Sequence, residues 1–102
     1  VEIAIKAARR CTGSEVIVSN QDAYHGTAYG AMSAGRDSLG APFEPLVAGF
    51  EQVPVPDGTE SWYDRLAETF AEHDVAAYLT ETILTHQGVT IPAAEHYDRV
   101  RE

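Results

Sequence analysis

Sulfur and basic residues are scarce in this sequence. Cys11 is the only cysteine among 102 residues, so no intrachain disulfide and no cysteine-built zinc site can be assembled, which suits a reducing cytosol and a cytoplasmic location. Lysine and arginine together number 7 against 16 aspartates and glutamates, giving a formal charge of -9. That field repels phosphate backbones and anionic headgroups, so neither nucleic acid nor a membrane surface is an expected partner. Long hydrophobic runs are also missing: nothing approaches the ~20 apolar residues of a membrane span, and no signal-peptide pattern opens the chain. Lys6 is the only lysine, which leaves one side-chain amine for any chemistry that needs one.

What remains is the composition of an ordinary folded protein, 44% hydrophobic and 23% charged, at a length that allows one domain or part of one. There is no initiator methionine, and Val1 already lies inside a helical pattern. In it Ile3, Ala7 and Cys11 share one face, while Lys6, Arg9 and Arg10 point away. After Pro92, Ala93 to Glu102 reads as a helix that stops without a cap. Both ends look cut, and the expectation is that residues 1–102 are a segment of a larger domain.

Thr12-Gly13 stops the first helix, and Glu15 to Ser19 is a β-branched run of strand length. The polar stretch Asn20 to Gly26 leads into Thr27 to Ala34, whose small residues suit a tightly packed helix. Gly35 to Gly49 is expected to wander over the surface. Glu51 to Pro56 reads as an edge strand, since Pro54 and Pro56 remove ladder donors. Ser61 with Asp64 resembles a capping box, followed by Trp62, Leu66 and Phe70 at helical spacing. Val75 to Thr80 is a further strand, and a loop through His86, Gln87 and Gly88 leads to the final helix. Alternation of this kind predicts an α/β layer, a mostly parallel sheet covered by helices. Ligands in such sheets bind beyond the carboxyl ends of strands, here after Ser19 and after Thr80.

The four histidines, at 25, 73, 86 and 96, follow no ligand spacing, so no metal site is expected. His73, ending a helix, suits the negative end of its dipole, and His96 reads as a solvated helix residue. No glycine set matches a phosphate loop, and no serine stands in a nucleophile elbow. Tyr24-His25-Gly26 follows a strand end, where an aromatic ring can face a planar ligand and glycine lets backbone approach it; a surface loop anchored by a buried Tyr fits the same pattern. Glu81 has the equivalent place after the last strand, either holding a cationic group or simply solvated.

A series of motifs in order carries the reading further. Ile3 to Arg10, Thr12-Gly13, Ala23-Tyr24-His25-Gly26, Gly30 to Ala34, Phe43-Glu44-Pro45-Leu46, Val53-Pro54, Ala76 to Glu81, Gly88-Val89 and Pro92 together resemble the class III aminotransferases, over essentially the whole chain. The resemblance implies the large, mostly parallel-sheet domain of a fold-type I transferase dependent on pyridoxal 5'-phosphate. It also implies small-molecule amine and 2-oxo acid substrates and a homodimeric parent. By the same resemblance Tyr24 stacks on the cofactor ring, His25 and Gly26 complete that motif, and Glu81 lines the substrate side. Thr82 departs from the usual Glu-Pro. Thr27 stands where the ornithine and acetylornithine subgroup has an Arg, and His86 where that subgroup often has a Glu, which argues for an amine or ω-amino acid donor instead. The family's phosphate-binding loop, its ring-nitrogen Asp and its cofactor-bearing lysine have no counterpart among these residues, so no residue of this chain is expected to be catalytic and the chain alone is expected to be inactive. The alternative is a non-catalytic remnant acting as an interaction protein.

Overall fold

The computed structural model describes residues 1–85 and 88–102, which leaves the expectation for His86 outside the described residues. Three strands, β1 (Val16–Asn20), β2 (Phe50–Val53) and β3 (Val75–Leu79), form a sheet in the order β2-β1-β3. Both pairings of β1 are parallel, and β2 ends at Val53, ahead of the two prolines that the expected strand Glu51 to Pro56 included. The helices are α1 (Glu2–Thr12), α2 (Tyr29–Ala34), α3 (Asp37–Gly40), α4 (Glu60–Glu72) and α5 (His96–Arg101). The stretch from Gly35 to Gly49 is more ordered than expected: it holds α3 and a 3-10 turn at Ala41–Phe43, and Gly40 is buried. No helix of the described residues is long and apolar enough to cross a membrane.

Strand alternation divides the sheet into two faces. Val18 and Val53 point to one, where Trp62 and Leu66 of α4 cover them, with Tyr63, Val75, Tyr78 and Val100 at the margin. Ser19 points to the other and donates to Ala34 O at 2.8 Å, while its ladder partner Gln52 donates to Gly35 O at 2.7 Å. Carbonyls at the end of α2, which have no partner inside the helix, are thereby satisfied by the sheet itself.

α1 rotates differently from expectation. Ile5 is its buried residue, while Ile3 is 82% exposed and Ala7 and Cys11 are exposed as well. The reason lies in two polar side chains on the packed side. Glu2 Oε1 accepts from Ala31 N at 2.8 Å, giving α2 the amino-terminal partner that its own sequence lacks. Gly30 makes room for this carboxylate, since a Cβ there would lie 2.6 Å from Glu2 Oε2. Arg9, expected to face solvent, donates to Glu15 O and Ala48 O at 2.8 Å and lies over the Phe50 ring. The positive φ of Gly49 (88°) admits the Arg9 guanidinium, which would sit 2.7 Å from any Cβ.

α4 is capped two residues earlier than the Ser61-Asp64 pattern suggests. Thr59 accepts from Trp62 N, and its hydroxyl donates to Asp57, so Ser61 lies within the helix. Trp62 and Leu66 are buried at the expected spacing, while Phe70 remains 43% exposed.

His96 is a larger correction, because it is 2% exposed and not solvated. Its Nδ1 lies 3.0 Å from Tyr63 Oη, and its ring packs against Trp62, Tyr63 and Tyr97 at centroid distances of 5.1–5.7 Å. α5 is held on α4 through this cluster and through Arg99, which grips Glu60 with two hydrogen bonds of 2.6 and 2.8 Å and stacks on Tyr63. The signal that a helical histidine is buried here was the neighbouring tyrosine, which periodicity does not read.

Burial lowers the pKa of His96 below the usual ~6.5. The folded state therefore prefers the neutral ring, and its contribution is complete above pH ~6.5 and erodes as pH falls from there toward the depressed folded value. His96→Phe should flatten that slope. Urea midpoints at pH 7.5 and 5.5 are expected to drop more in the wild type than in the variant, and equal drops would show that His96 does not titrate with unfolding.

Candidate active site

The carboxyl ends of β1 and β3 lie side by side, and the two segments singled out from the sequence follow them directly. β1 ends in Asn20, whose side chain is 0% exposed. Its Oδ1 accepts from Tyr78 Oη at 2.9 Å and from Thr80 Oγ1 at 2.8 Å, and its Nδ2 donates to Pro54 O at 3.4 Å. Trp62 Nε1 donates to the same carbonyl at 2.7 Å. One buried amide thus joins all three strand ends, and α4 is attached to the same point. The sequence reading placed Asn20 in a polar connection and missed this role; the available signal was an amide closing an apolar strand opposite a threonine.

The chain turns after Asn20 through Asp22, which adopts a left-handed φ of 58°, a conformation that aspartate tolerates better than most residues. Ala23 is 1% exposed, and its carbonyl accepts from Arg36 N at 3.0 Å, anchoring the base of the loop. Gly26 has a φ of 123°, and a Cβ on it would stand 3.4 Å from Ala31 Cβ, so this turn of backbone lies against α2 where a side chain would be strained. Between these anchors stand Tyr24, 41% exposed, and His25, half-buried. Thr27 is exposed.

Glu81 follows Thr80 at the end of β3 and is half-buried. Its charge acts on His25: burial lowers the His25 pKa, and the Glu81 carboxylate opposes that fall. The two residues assigned from separate segments are therefore electrostatic neighbours. Each also carries a sheltered polar atom, His25 Nε2 and Glu81 Oε2, with no hydrogen-bond partner among the described residues. Arg36 Nε is a third such atom, in a groove of about 370 Å³ that it shares with Gln21, Asp22 and Gln52. Sheltered atoms of this kind are costly unless a ligand or water completes them. The two unsatisfied atoms belong to an imidazole that burial biases toward its neutral form and to a carboxylate whose charge acts on that ring. Lys6 is exposed on α1. No group of three or more His, Cys, Asp or Glu that could hold a metal occurs among the described residues.

If Glu81 is the charge that supports protonation of His25, Glu81→Gln should lower the His25 pKa further. A ring-carbon NMR titration of His25 reads this directly, and an unchanged midpoint would separate the two residues.

An uncharacterized aminotransferase of Archaeoglobus fulgidus is 38% identical over 102 residues, covering all of this chain and 23% of the relative. An acetylornithine aminotransferase of Methanopyrus kandleri is 36% identical over 103 residues, 25% of its length. This chain thus spans about a quarter of the curated relatives it matches. Among solved structures, the taurine:2-oxoglutarate aminotransferase of Bifidobacterium kashiwanohense, solved with PLP and glutamate, superposes with a TM-score of 0.84 at 31% identity, over 98% of this chain and 27% of that one. An amine transaminase from an uncultivated Pseudomonas species gives 0.85 at 24% identity over 98% of this chain and 28% of that one, a likeness of fold alone. The family described as Aminotransferase class-III matches residues 1–102, and the chain belongs to it.

Proposed function

We propose that these residues form one wall of a pyridoxal 5'-phosphate site in the large domain of a transaminase that moves an amino group from an amine or ω-amino acid to a 2-oxo acid. The observation that carries this is the pair of sheltered atoms, His25 Nε2 and Glu81 Oε2, that have no hydrogen-bond partner among the described residues, with Tyr24 next to His25 in the chain. In this reading a polar planar group completes both atoms, turns one face to Tyr24, and approaches the backbone at Gly26, which carries no side chain. Bound in such a site, the cofactor supplies an electrophilic carbonyl carbon and an electron-withdrawing ring that together acidify the donor's α-proton.

The roles of this chain's residues follow from their chemistry. Tyr24 covers the ring face and excludes water from it. His25, kept neutral by burial, offers one ring nitrogen as donor or acceptor without adding charge. Glu81 accepts from a cationic amine on the substrate side. The covalent lysine and the acid at the ring nitrogen come from other parts of the enzyme, since Lys6 stands on an exposed helix face. The whole enzyme is a cytoplasmic homodimer in this reading.

The donor class rests on Thr27, a short neutral side chain at the position where the acetylornithine subgroup has an arginine to grip a carboxylate. The taurine:2-oxoglutarate aminotransferase among the structural relatives favours an ω-amine donor. The acetylornithine aminotransferases among the sequence relatives make that subgroup the natural comparison. The full-length protein carrying this chain should prefer ω-amino acids over N-acetylornithine by about tenfold or more in kcat/KM, equivalent to ~1.4 kcal/mol. Preference for N-acetylornithine would overturn the donor class, and absence of amino transfer from any amine would overturn the function.

Tyr24→Ala should weaken cofactor retention by roughly five- to tenfold, from the loss of ~1 kcal/mol of stacking, while Tyr24→Phe holds it near the wild-type level. Equilibrium dialysis of the full-length protein measures both. Equal retention in the Ala variant would remove Tyr24 from the site.

A further inference from the structure

We propose that Asn20 is a positioning residue of the active site, whose buried amide fixes the end of β3 through Thr80 and so sets the Glu81 carboxylate against His25. This rests on the transaminase reading only for what the pair does, not for how it is placed. The β1–β3 ladder ends at Ser19 and Leu79. Beyond it, the hydrogen bond from Thr80 Oγ1 to Asn20 Oδ1, at 2.8 Å, carries the strand pairing one residue further. Thr80 is the residue before Glu81, and its hydroxyl also lies 3.3 Å from Glu81 O, so the same side chain governs where the carboxylate leaves the sheet.

The next restraints lie further along. Tyr97 Oη donates to Thr82 O, and Leu84 pairs with Thr90. Without the Thr80 bond, Thr80 and Glu81 would span the gap between the ladder and these restraints with no side-chain tie to β1. On the β1 side the placement is firm, because Asn20 is fully buried and the loop to His25 is pinned again at Ala23.

Asn20 has a second arm that separates positioning from mere core satisfaction. Tyr78 Oη reaches the same oxygen, but Tyr78 lies within the β3 ladder, opposite Val18, where backbone pairing already holds it. Removing either arm takes one hydrogen bond from the amide. Only removal of the Thr80 arm frees the residue next to Glu81.

The experiment compares Thr80→Val, Thr80→Ser and Tyr78→Phe in the full-length protein, with three readouts: the His25 ring titration by NMR, the thermal midpoint, and kcat against KM. Thr80→Val should lower the His25 pKa as the carboxylate moves away. It should also reduce kcat by about tenfold with a smaller change in KM, as expected when a group is misplaced near the reacting atoms. Thr80→Ser keeps the hydroxyl and should restore both values. Tyr78→Phe should lower the thermal midpoint to a similar degree and leave the His25 titration unchanged. Asn20→Leu, which also removes the bond to Pro54, should reduce every readout. An unchanged His25 titration in Thr80→Val, or an equal change in Tyr78→Phe, would overturn the proposal. If the protein binds no pyridoxal phosphate and transfers no amino group, the transaminase reading fails, and the titration and stability arms still decide the role of Asn20.

Discussion

A primary amide with no exposure to water must find its partners inside the protein, and that requirement at Asn20 constrains the sheet more tightly than its apolar packing does. Leaving such a group unmatched costs on the order of 1–3 kcal/mol. Hydrophobic contacts tolerate small shifts, whereas the oxygen of Asn20 accepts from two specified hydroxyls on β3, and its nitrogen reaches a carbonyl just beyond β2. The pairing of β1 with β3 is irregular between Val16 and Ile17, at the opposite end of the strands. Disorder of register is therefore accepted at the amino-terminal edge and suppressed at the carboxyl edge, where the candidate site lies.

Polar side chains carry comparable weight around the sheet. Glu2 and Arg9 occupy the side of α1 that an apolar count would assign to solvent, yet each fills a backbone requirement of a neighbouring element. Their long aliphatic stems let the charged heads reach partners while the helix packs through Ile5. α5 is joined to α4 in a similar manner, by a buried imidazole and an arginine that is paired and stacked at once. Short helices of this kind gain little from intrinsic propensity, so such tertiary tethers decide whether they form.

The fold class was legible because it depends on local pattern: a β-branched run marked β1, an apolar run of strand length marked β3, and Trp62 and Leu66 marked the packed face of α4. The adjacency of the candidate residues was legible too, since Tyr24, His25 and Glu81 follow neighbouring parallel strands. What escaped the sequence reading was every feature defined by a distant partner. His96 is buried because Tyr63 and Trp62 surround it, and Arg9 is enlisted by carbonyls across the fold. Periodicity reports which residues share a face; it holds no information on what the opposing surface offers.

The bond between Thr80 and Asn20 closes a stretch of 60 residues. Parallel neighbours cannot be joined by a hairpin, so β1 must wait for β2, α4 and their connections before β3 can arrive beside it. Closing so long a loop is entropically costly ahead of any contact that rewards it. During that interval the edge of β1 remains open to strands from other molecules. The seam that aligns the candidate site is thus also where a chain whose β3 has not yet docked exposes an unpaired strand edge.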